Sequence, residues 1–415
     1  MKDFAFLLAI PVFVITLLAE WLYFKLKRQV REKFDFADTI TNLTLGVGSH
    51  VFTMIYGVIF VYLYEHFRAN YRLFNLSGWG WLPVVIVLFD FVYYWAHRWG
   101  HEWNIFWGAH VVHHQSERYN LSVALRQPWF HNLIAFPLFS MFPFIGFDTA
   151  VFFTASVIVT LYQYWIHTEA IRKMPAWFEF IFNTPSHHRV HHGRNAKYID
   201  KNYAAVFIVW DRIFGTFEPE TEKPQYGITV PFKSYNPFWA NIYFYLNLFK
   251  VSAQQKGLLN RLKLLFLRPD SLYADEPSEV TRSNEGYNEK PGVPLHPLRK
   301  VYILFQFTML VLGLALFMYE YPKLTIYYKY VIYFNLLAGI GALWALIEKK
   351  TWAKYFEAVR ILIGVVCINA IYYRSFSDWF VYMFITLAVL SAVSYAYLLL
   401  ERTIDVLLQQ RKVVA

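Results

Sequence analysis

Long apolar runs separated by short polar stretches organise this chain. The runs at residues 4–24 and 40–64 are long enough to cross a bilayer as helices, and a shorter one follows at 81–95. Two more, 132–147 and 150–166, are split by Gly146 and Asp148, which predicts a helical hairpin that dips into the bilayer and returns. Residues 168–300 hold no run of spanning length. Within them, 204–217 and 258–267 are short apolar pieces suited to the membrane interface. Residues 270–297, rich in Pro, Glu, Asn and Ser, read as a linker. Four runs close the chain, at 301–319, 326–347, 358–373 and 379–400. The pattern predicts an all-α, polytopic integral membrane protein with a C-terminal four-span bundle. It divides into N-terminal spans (1–80), a histidine-bearing domain (81–220), an interfacial segment and linker (221–300) and the bundle (301–415). No internal repeat is visible.

Charge orients the runs. Lys25, Lys27, Arg28, Arg31 and Lys33 follow the first one and place its C-terminal end in the cytosol. The third run then returns to that side just before His97, and the hairpin ends there at His167. Glu348-Lys349-Lys350, Lys354, Arg411 and Lys412 agree with this orientation. The first run lacks a small-residue cleavage site and reads as an anchor. The composition is 57% hydrophobic and 16% charged, which excludes an ordinary soluble domain. The net charge of +10 is accounted for by basic span flanks and needs no nucleic acid. The single cysteine, Cys367, rules out an internal disulfide and a thiolate cluster, so any metal must be held by nitrogen and oxygen.

The histidines change the picture from scaffold to chemistry. His97 and His101 are spaced i, i+4. His110, His113 and His114 are spaced i, i+3, i+4, and so are His188, His191 and His192, with His187 beside them. On a helical backbone each set lies on one face. So many imidazoles near a bilayer, left unpartnered, would cost several kcal/mol each. The three boxes therefore read as one metal site. A closed structural zinc site needs four ligands, and there are more here, enough for two ions with open positions. Imidazole suits zinc, copper, iron and nickel alike. Glu102, Glu117, Glu169 and Asp211 are the nearest carboxylates in sequence, Glu117 reading as a solvated charge. The isolated His50, His66, His131 and His296 read as structural. No GxGxxG follows a strand and no haem or flavin motif occurs.

HRWGH, HVVHH and HHRVHH, with YWIHTE between them, resemble the histidine boxes of the membrane fatty acid hydroxylase and sterol desaturase superfamily over roughly residues 81–220. The longer stretches DFVYYWAHRWGHEWNIFWGAH, HHQSERYNLSVALRQ, NTPSHHRVHHGRN and IDKNYAAVFIVWDRIFGTFEPE resemble one family within it, the alkylglycerol monooxygenases. Arg189 stands where sterol-acting members tend to carry Asp, which favours the ether-lipid reading. The resemblance implies a diiron site held by His97, His101, His110, His113, His114, His167, His188, His191 and His192, with His187 turned away. It implies O2 as cosubstrate and tetrahydrobiopterin as reductant, where other members of the superfamily use cytochrome b5 or a ferredoxin-type partner. The implied reaction hydroxylates the ether-linked carbon of an alkylglycerol, giving fatty aldehyde and glycerol.

Glu102, Asn120, Asn195 and Tyr203 are the candidate catalytic groups. Arg126, Gln127, Asp200, Lys201 and Asn202 join them as candidate contacts to headgroup or pterin. Trp95, Trp99, Trp107 and Tyr164 read first as membrane packing. The compartment implied is the endoplasmic reticulum in a eukaryote and the cytoplasmic membrane in a bacterium. One rival is another fatty acid, sterol or carotenoid hydroxylase or desaturase with a protein electron donor. The other is a metal transporter or sensor, which predicts ionisable residues on several spans. Asp90 is the one acid well inside the N-terminal spans, which counts against it.

Overall fold

The computed structural model describes residues 2–273 and 292–372, together with positions 389, 391, 392, 395, 396 and 400. The described residues are helical, without a β-strand, and fall into two compact units. The first holds Met1–Ser234 and Phe238–Pro291, and the second holds Tyr235–Pro237 and Gly292–Ala415.

In the first unit α1 (Lys2–Leu26) is followed by α2 (Phe36–Tyr71) and α3 (Leu82–Glu102). At 1.5 Å per residue α2 is about 54 Å long, well beyond a bilayer core of roughly 30 Å. It starts at the Asp35 cap, whose carboxylate accepts from Asp38 N at 2.8 Å. Its first turns carry buried Asp38, Thr41, Asn42 and Thr44, which an apolar window passes over. The third run is likewise longer than its apolar core. α3 runs on through His97 and His101, so these lie on the helix itself rather than past its end. The reason is that both side chains are buried inside the protein, where His97 Nδ1 bonds the Tyr203 carbonyl, so polarity does not stop the helix there.

A one-turn helix α4 (Val111–His114) is followed by α5 (His131–Phe139), α6 (Met141–Ile145) and α7 (Thr149–Trp165). The segment α5–α6 is too short to span, at about 22 Å, and turns back as the hairpin pattern predicts. The turn depends on Gly146, at φ +112°, because a Cβ there would lie 1.8 Å from the Phe74 carbonyl oxygen. Around that turn Leu73 N and Phe74 N donate to the carbonyls of Phe144 and Ile145 at 2.7 and 3.1 Å. Phe89, Phe142, Phe147, Phe152, Ala155 and Val159 then pack α3 against α6 and α7.

The third box lies on α8 (Pro185–His191), and α9 (Val209–Ile213) follows. Residues 204–217, apolar in sequence, bury much of their length in the protein, although Ile213 stays 61% exposed. Ala204, Ala205 and Ile208 are fully buried. Asp90, inside α3, accepts from Val206 N, Phe207 N and Trp210 Nε1 at 2.7–3.0 Å and draws the segment into the core. α10 (Pro237–Gln254) and α11 (Leu258–Leu265) complete the unit. Of the expected linker, residues 274–291 lie outside the described residues.

The second unit contains α12 (Pro297–Glu320), α13 (Ile326–Ile347) and α14 (Ala353–Tyr372). The run expected at 379–400 falls outside the described residues apart from isolated positions. α14 starts five residues before its apolar run and brings in charge. Glu357 accepts from Arg360 Nε at 2.6 Å and from Tyr302 Oη at 2.8 Å, and Arg360 Nη2 reaches Gln306 Oε1 at 2.7 Å. The pair is tolerated because each charge finds its partner inside the second unit. Four described segments are long and apolar enough to cross a membrane: Phe36–Tyr71, Trp79–Glu102, Pro297–Lys323 and Ile326–Ile347.

Candidate metal centre

Nine imidazoles meet in the first unit, and all nine are buried. They form two groups. His97, His101, His110, His114 and His191 make the first, and His113, His167, His188 and His192 the second, with the ligand-capable atoms of each within 4.8 Å of one another. The division cuts across the boxes. His110 and His114 go to the first group while His113 goes to the second; His188 and His192 go to the second while His191 goes to the first. Helix geometry explains this. Positions i+3 and i+4 flank position i on a single face but stand about 100° apart, so one turn of helix can serve two adjacent centres. The groups interleave closely: His114 stacks on His192 at 4.4 Å between centroids and His188 on His191 at 5.2 Å.

Hydrogen bonds fix the ring tautomers. His113 Nδ1–H donates to the Arg126 carbonyl at 3.0 Å and His167 Nδ1–H to the Gln163 carbonyl at 2.7 Å. A carbonyl can only accept, so each ring keeps its proton on Nδ1 and a bare lone pair on Nε2. Those two Nε2 atoms are 3.1 Å apart. Two lone pairs do not bond each other, and burial opposes the extra proton that would join them. A shared cation makes the contact favourable. The pattern repeats in the first group: His97 Nδ1–H donates to the Tyr203 carbonyl at 2.6 Å, and its Nε2 lies 3.0 Å from His110 Nε2. His191 Nδ1–H donates to the Lys201 carbonyl at 3.0 Å. The Nε2 atoms of His101, His191 and His192 are buried with no hydrogen-bond partner among the described residues. Spacing agrees as well. Two nitrogens about 2.1 Å from one ion and at right angles are roughly 3.0 Å apart, against about 3.4 Å at the tetrahedral angle. The observed 3.0–3.1 Å lies within reach of nitrogens that share one ion.

Burial, and then the neighbouring imidazoles, push His110, His114, His188 and His192 well below the usual histidine range. Burial likewise lowers His191 to about 4 and His167 to about 3. The neutral, ligating form is therefore the resident one.

The other sequence candidates divide. Tyr203 lies at the first group, its ring 5.4 Å from that of His101 and its buried hydroxyl without a partner among the described residues. Trp107 also packs there, 5.1 Å from His101. Asp200, pushed up to about 6 by burial, reaches His101 Nδ1 only at 3.8 Å and pairs with Arg268 at 3.0 Å. Glu102 pairs with Arg98 at 3.0 Å, and no carboxylate belongs to either group among the described residues. Asp211 holds the Tyr203 loop, accepting from Tyr203 N and Ala204 N at 2.8 Å.

Several candidates spend their polar atoms elsewhere. Asn120 caps the turn Leu121–Ala124 and donates to the Lys33 carbonyl at 2.8 Å. Asn195 ties the third box to Glu222, Lys223 and Gln225. Asn202 joins the His187 and Glu218 carbonyls at 3.0 and 2.8 Å. Arg126, fully buried, bonds Val112 O, Asn42 Oδ1 and Gln115 Oε1 at 2.5–2.8 Å. Gln127 is exposed, Glu117 half-buried, and Lys201 contributes its carbonyl rather than its amine. Glu169 pairs with Lys33 and accepts from Tyr226 Oη at 2.7 Å. His187 turns away against Phe217, at 5.4 Å. Trp95 and Trp99 pack with each other, and Tyr164 packs against Phe13 of α1.

Sequence reasoning missed Tyr119, whose ring lies 5.2 Å from His192 and stacks on His167 at 5.8 Å. It also set His131 apart as structural, yet that ring is 5.5 Å from His110. Neither carries a spacing signal; only the fold brings them in.

Comparison with known proteins agrees with this geometry. Residues 82–216 match the fatty acid hydroxylase family. The chain is 36% identical to human alkylglycerol monooxygenase over 318 residues, covering 73% of this chain and 67% of that one. It is 34% identical to alkylglycerol monooxygenase of Xenopus tropicalis, over 79% and 74% of the two chains. A lathosterol oxidase of Mus musculus is 28% identical over 150 residues, 34% of this chain and 48% of that one. No solved structure matches.

Proposed function

The chain belongs to the alkylglycerol monooxygenase family, and on that premise we propose that it is a diiron monooxygenase that opens the ether bond of alkylglycerol lipids. The observation that carries the reading is the pair of interleaved histidine groups, with lone pairs held face to face by backbone carbonyls. Iron in both groups would supply the activation of O2 beside the lipid. The balance is simple. One oxygen atom enters the C–H bond next to the ether oxygen; the other leaves as water, using two electrons and two protons from an outside reductant. The resulting hemiacetal breaks its C–O bond to give fatty aldehyde and glycerol. Tetrahydrobiopterin is the reductant proposed.

The chain's own residues then have separate tasks. The carbonyls of Tyr203, Arg126, Gln163 and Lys201 hold the Nδ1 protons, so the Nε2 atoms face inward. Burial of all nine rings keeps bulk water out. Tyr203, with its unpaired buried hydroxyl, is the group proposed to meet the reacting oxygen, and Glu102 is proposed at the rim, beside Arg98. Asn120 and Asn195 act as positioning residues. The basic flank after α1 supports a cytosolic site, in the endoplasmic reticulum of a eukaryotic host or the cytoplasmic membrane of a bacterial one. The test is turnover of an alkylglycerol by the purified full chain, with and without tetrahydrobiopterin. Pterin-dependent release of fatty aldehyde is expected. Turnover of another lipid with a protein donor, and none of alkylglycerol with pterin, overturns the reading.

A further inference from the structure

Helices α10 and α11 carry an outward face that the metal chemistry leaves unused. The inner side of α10 is conventional: Ala240, Phe244 and Leu248, spaced i, i+4, i+8, are buried in the first unit. Its outer side is apolar too. Ile242, Leu246 and Phe249, at i, i+4 and i+7, are 41, 53 and 54% exposed. α11 continues this, with Leu258 at 71% and Leu259 at 79% exposed. A helix apolar on both sides at an aqueous surface pays for solvated hydrocarbon; against a bilayer it does not.

Charge identifies the kind of bilayer. From residue 237 to residue 269 there is no Asp or Glu, while Lys250, Lys256, Arg261, Lys263 and Arg268 all occur. Arg268 is engaged with Asp200. The other four are exposed, and none makes an ion pair among the described residues. Lys250 also edges an apolar cleft of about 560 Å³ beside α10, shared with Lys233, Trp239 and Leu246. Apolar side chains flanked by basic ones, with no acid among them, are complementary to hydrocarbon under negatively charged headgroups.

The same helices are fastened to the boxes. Asn104, two residues past Glu102, donates from N to the Leu267 carbonyl at 2.9 Å and from Nδ2 to the Leu264 carbonyl at 2.9 Å. Tyr245 Oη donates to the Ile105 carbonyl at 3.0 Å. The segment joining the first and second boxes is thus held by whatever α10 and α11 rest on.

We infer that α10 and α11 form an interfacial seat that rests on an anionic phospholipid leaflet and holds the first two histidine boxes at headgroup level. The test uses the full chain in nanodiscs, with Cys367→Ser as background and a single environment-sensitive label at Leu259→Cys or, as control, at Asn260→Cys. Bromine-labelled phospholipid is expected to quench the label at 259 and spare that at 260. Adding phosphatidylglycerol to phosphatidylcholine should deepen the quenching at 259. Each surface cation is worth about fivefold in partitioning. The triple change Lys256→Gln, Arg261→Gln, Lys263→Gln should therefore abolish that response. Retained metal in every labelled protein shows that the fold survives. Equal quenching at both positions, or quenching at 259 that ignores lipid charge, overturns the inference.

Discussion

The division of the boxes between two groups makes a prediction that box-by-box ligation does not. If each box held its own ion, removing His188 and His191 together would empty one centre and leave another. In the structure these neighbours serve different groups, and His191 shares its group with His114 from another box. The magnitude follows from ligand number. A four-ligand zinc site is worth roughly 10–16 kcal/mol, so one imidazole carries on the order of 3 kcal/mol, about two decades in affinity. Two losses in a five-ligand group leave three nitrogens and a centre weakened by about four decades, below what survives dialysis against a strong chelator. One loss in each group weakens both. The assay is metal per chain by mass spectrometry after chelator dialysis of the purified protein. His114→Ala with His191→Ala should keep the second centre and lose the first. His188→Ala with His191→Ala should deplete both, the four-ligand centre first. The reverse outcome, one ion kept by the His188/His191 pair and none by the His114/His191 pair, refutes the grouping.

Three further outcomes are expected. Arg189 bonds Glu220 with two nitrogens at 2.6 and 2.9 Å and also the carbonyls of Thr168, Ile171 and Arg172, so it clamps the turn after His167 to the third box. Arg189→Lys keeps the charge but loses the fork, and metal affinity should fall about 10–100-fold by chelator competition. Arg126→Leu strands Val112 O, Asn42 Oδ1 and Gln115 Oε1 in the core and should cost about 3–5 kcal/mol in denaturant unfolding. Acid should destabilise the metal-depleted protein. His191 and His167 are held near 4 and 3 when folded, below the unfolded value of 6.5, so the unfolded chain binds more protons in that window and stability falls as pH drops from 6.5 towards 4. For His191 the loss is on the order of 3 kcal/mol, and a melting temperature that stays flat between pH 7 and 5 would contradict it.

Much of the fold was legible because a bilayer imposes length and composition on what crosses it, and the boxes were legible because metal ligation imposes spacing. What spacing cannot carry is the partner of each ring. An i, i+3, i+4 set defines a face, but which flank meets which centre depends on α3, α4 and α8 arriving together. The layer behind the ligands was invisible for a different reason. Tyr203, Arg126, Gln163 and Lys201 orient the imidazoles through backbone carbonyls, and every residue has one of those. Lys201 illustrates this: its amine suggested a headgroup contact, while its carbonyl does the orienting.

Polar residues at the edges of apolar runs were the other blind spot, and they explain how a membrane helix controls a metal site. Asp38 and Asn42 precede most of the hydrophobic window of α2 and add nothing to its apolarity. In the fold Ser116 Oγ donates to Asp38 Oδ2 at 2.5 Å, and Asn42 bonds Ser122 Oγ at 3.0 Å and Arg126 Nη1 at 2.8 Å. Arg126 in turn bonds the Val112 carbonyl within the second box and presents its own carbonyl to His113. The second box is thereby tied to the start of α2 through buried groups that are paired there, and each would be costly to bury alone. The same logic applies to Asp90. A lone acid within the N-terminal spans argues against a transport path, and its three donors make it the anchor of the segment that carries Tyr203, whose carbonyl accepts from His97. Asp38 and Asp90, inside this membrane unit, are thus placed to hold the segments that aim the ligands.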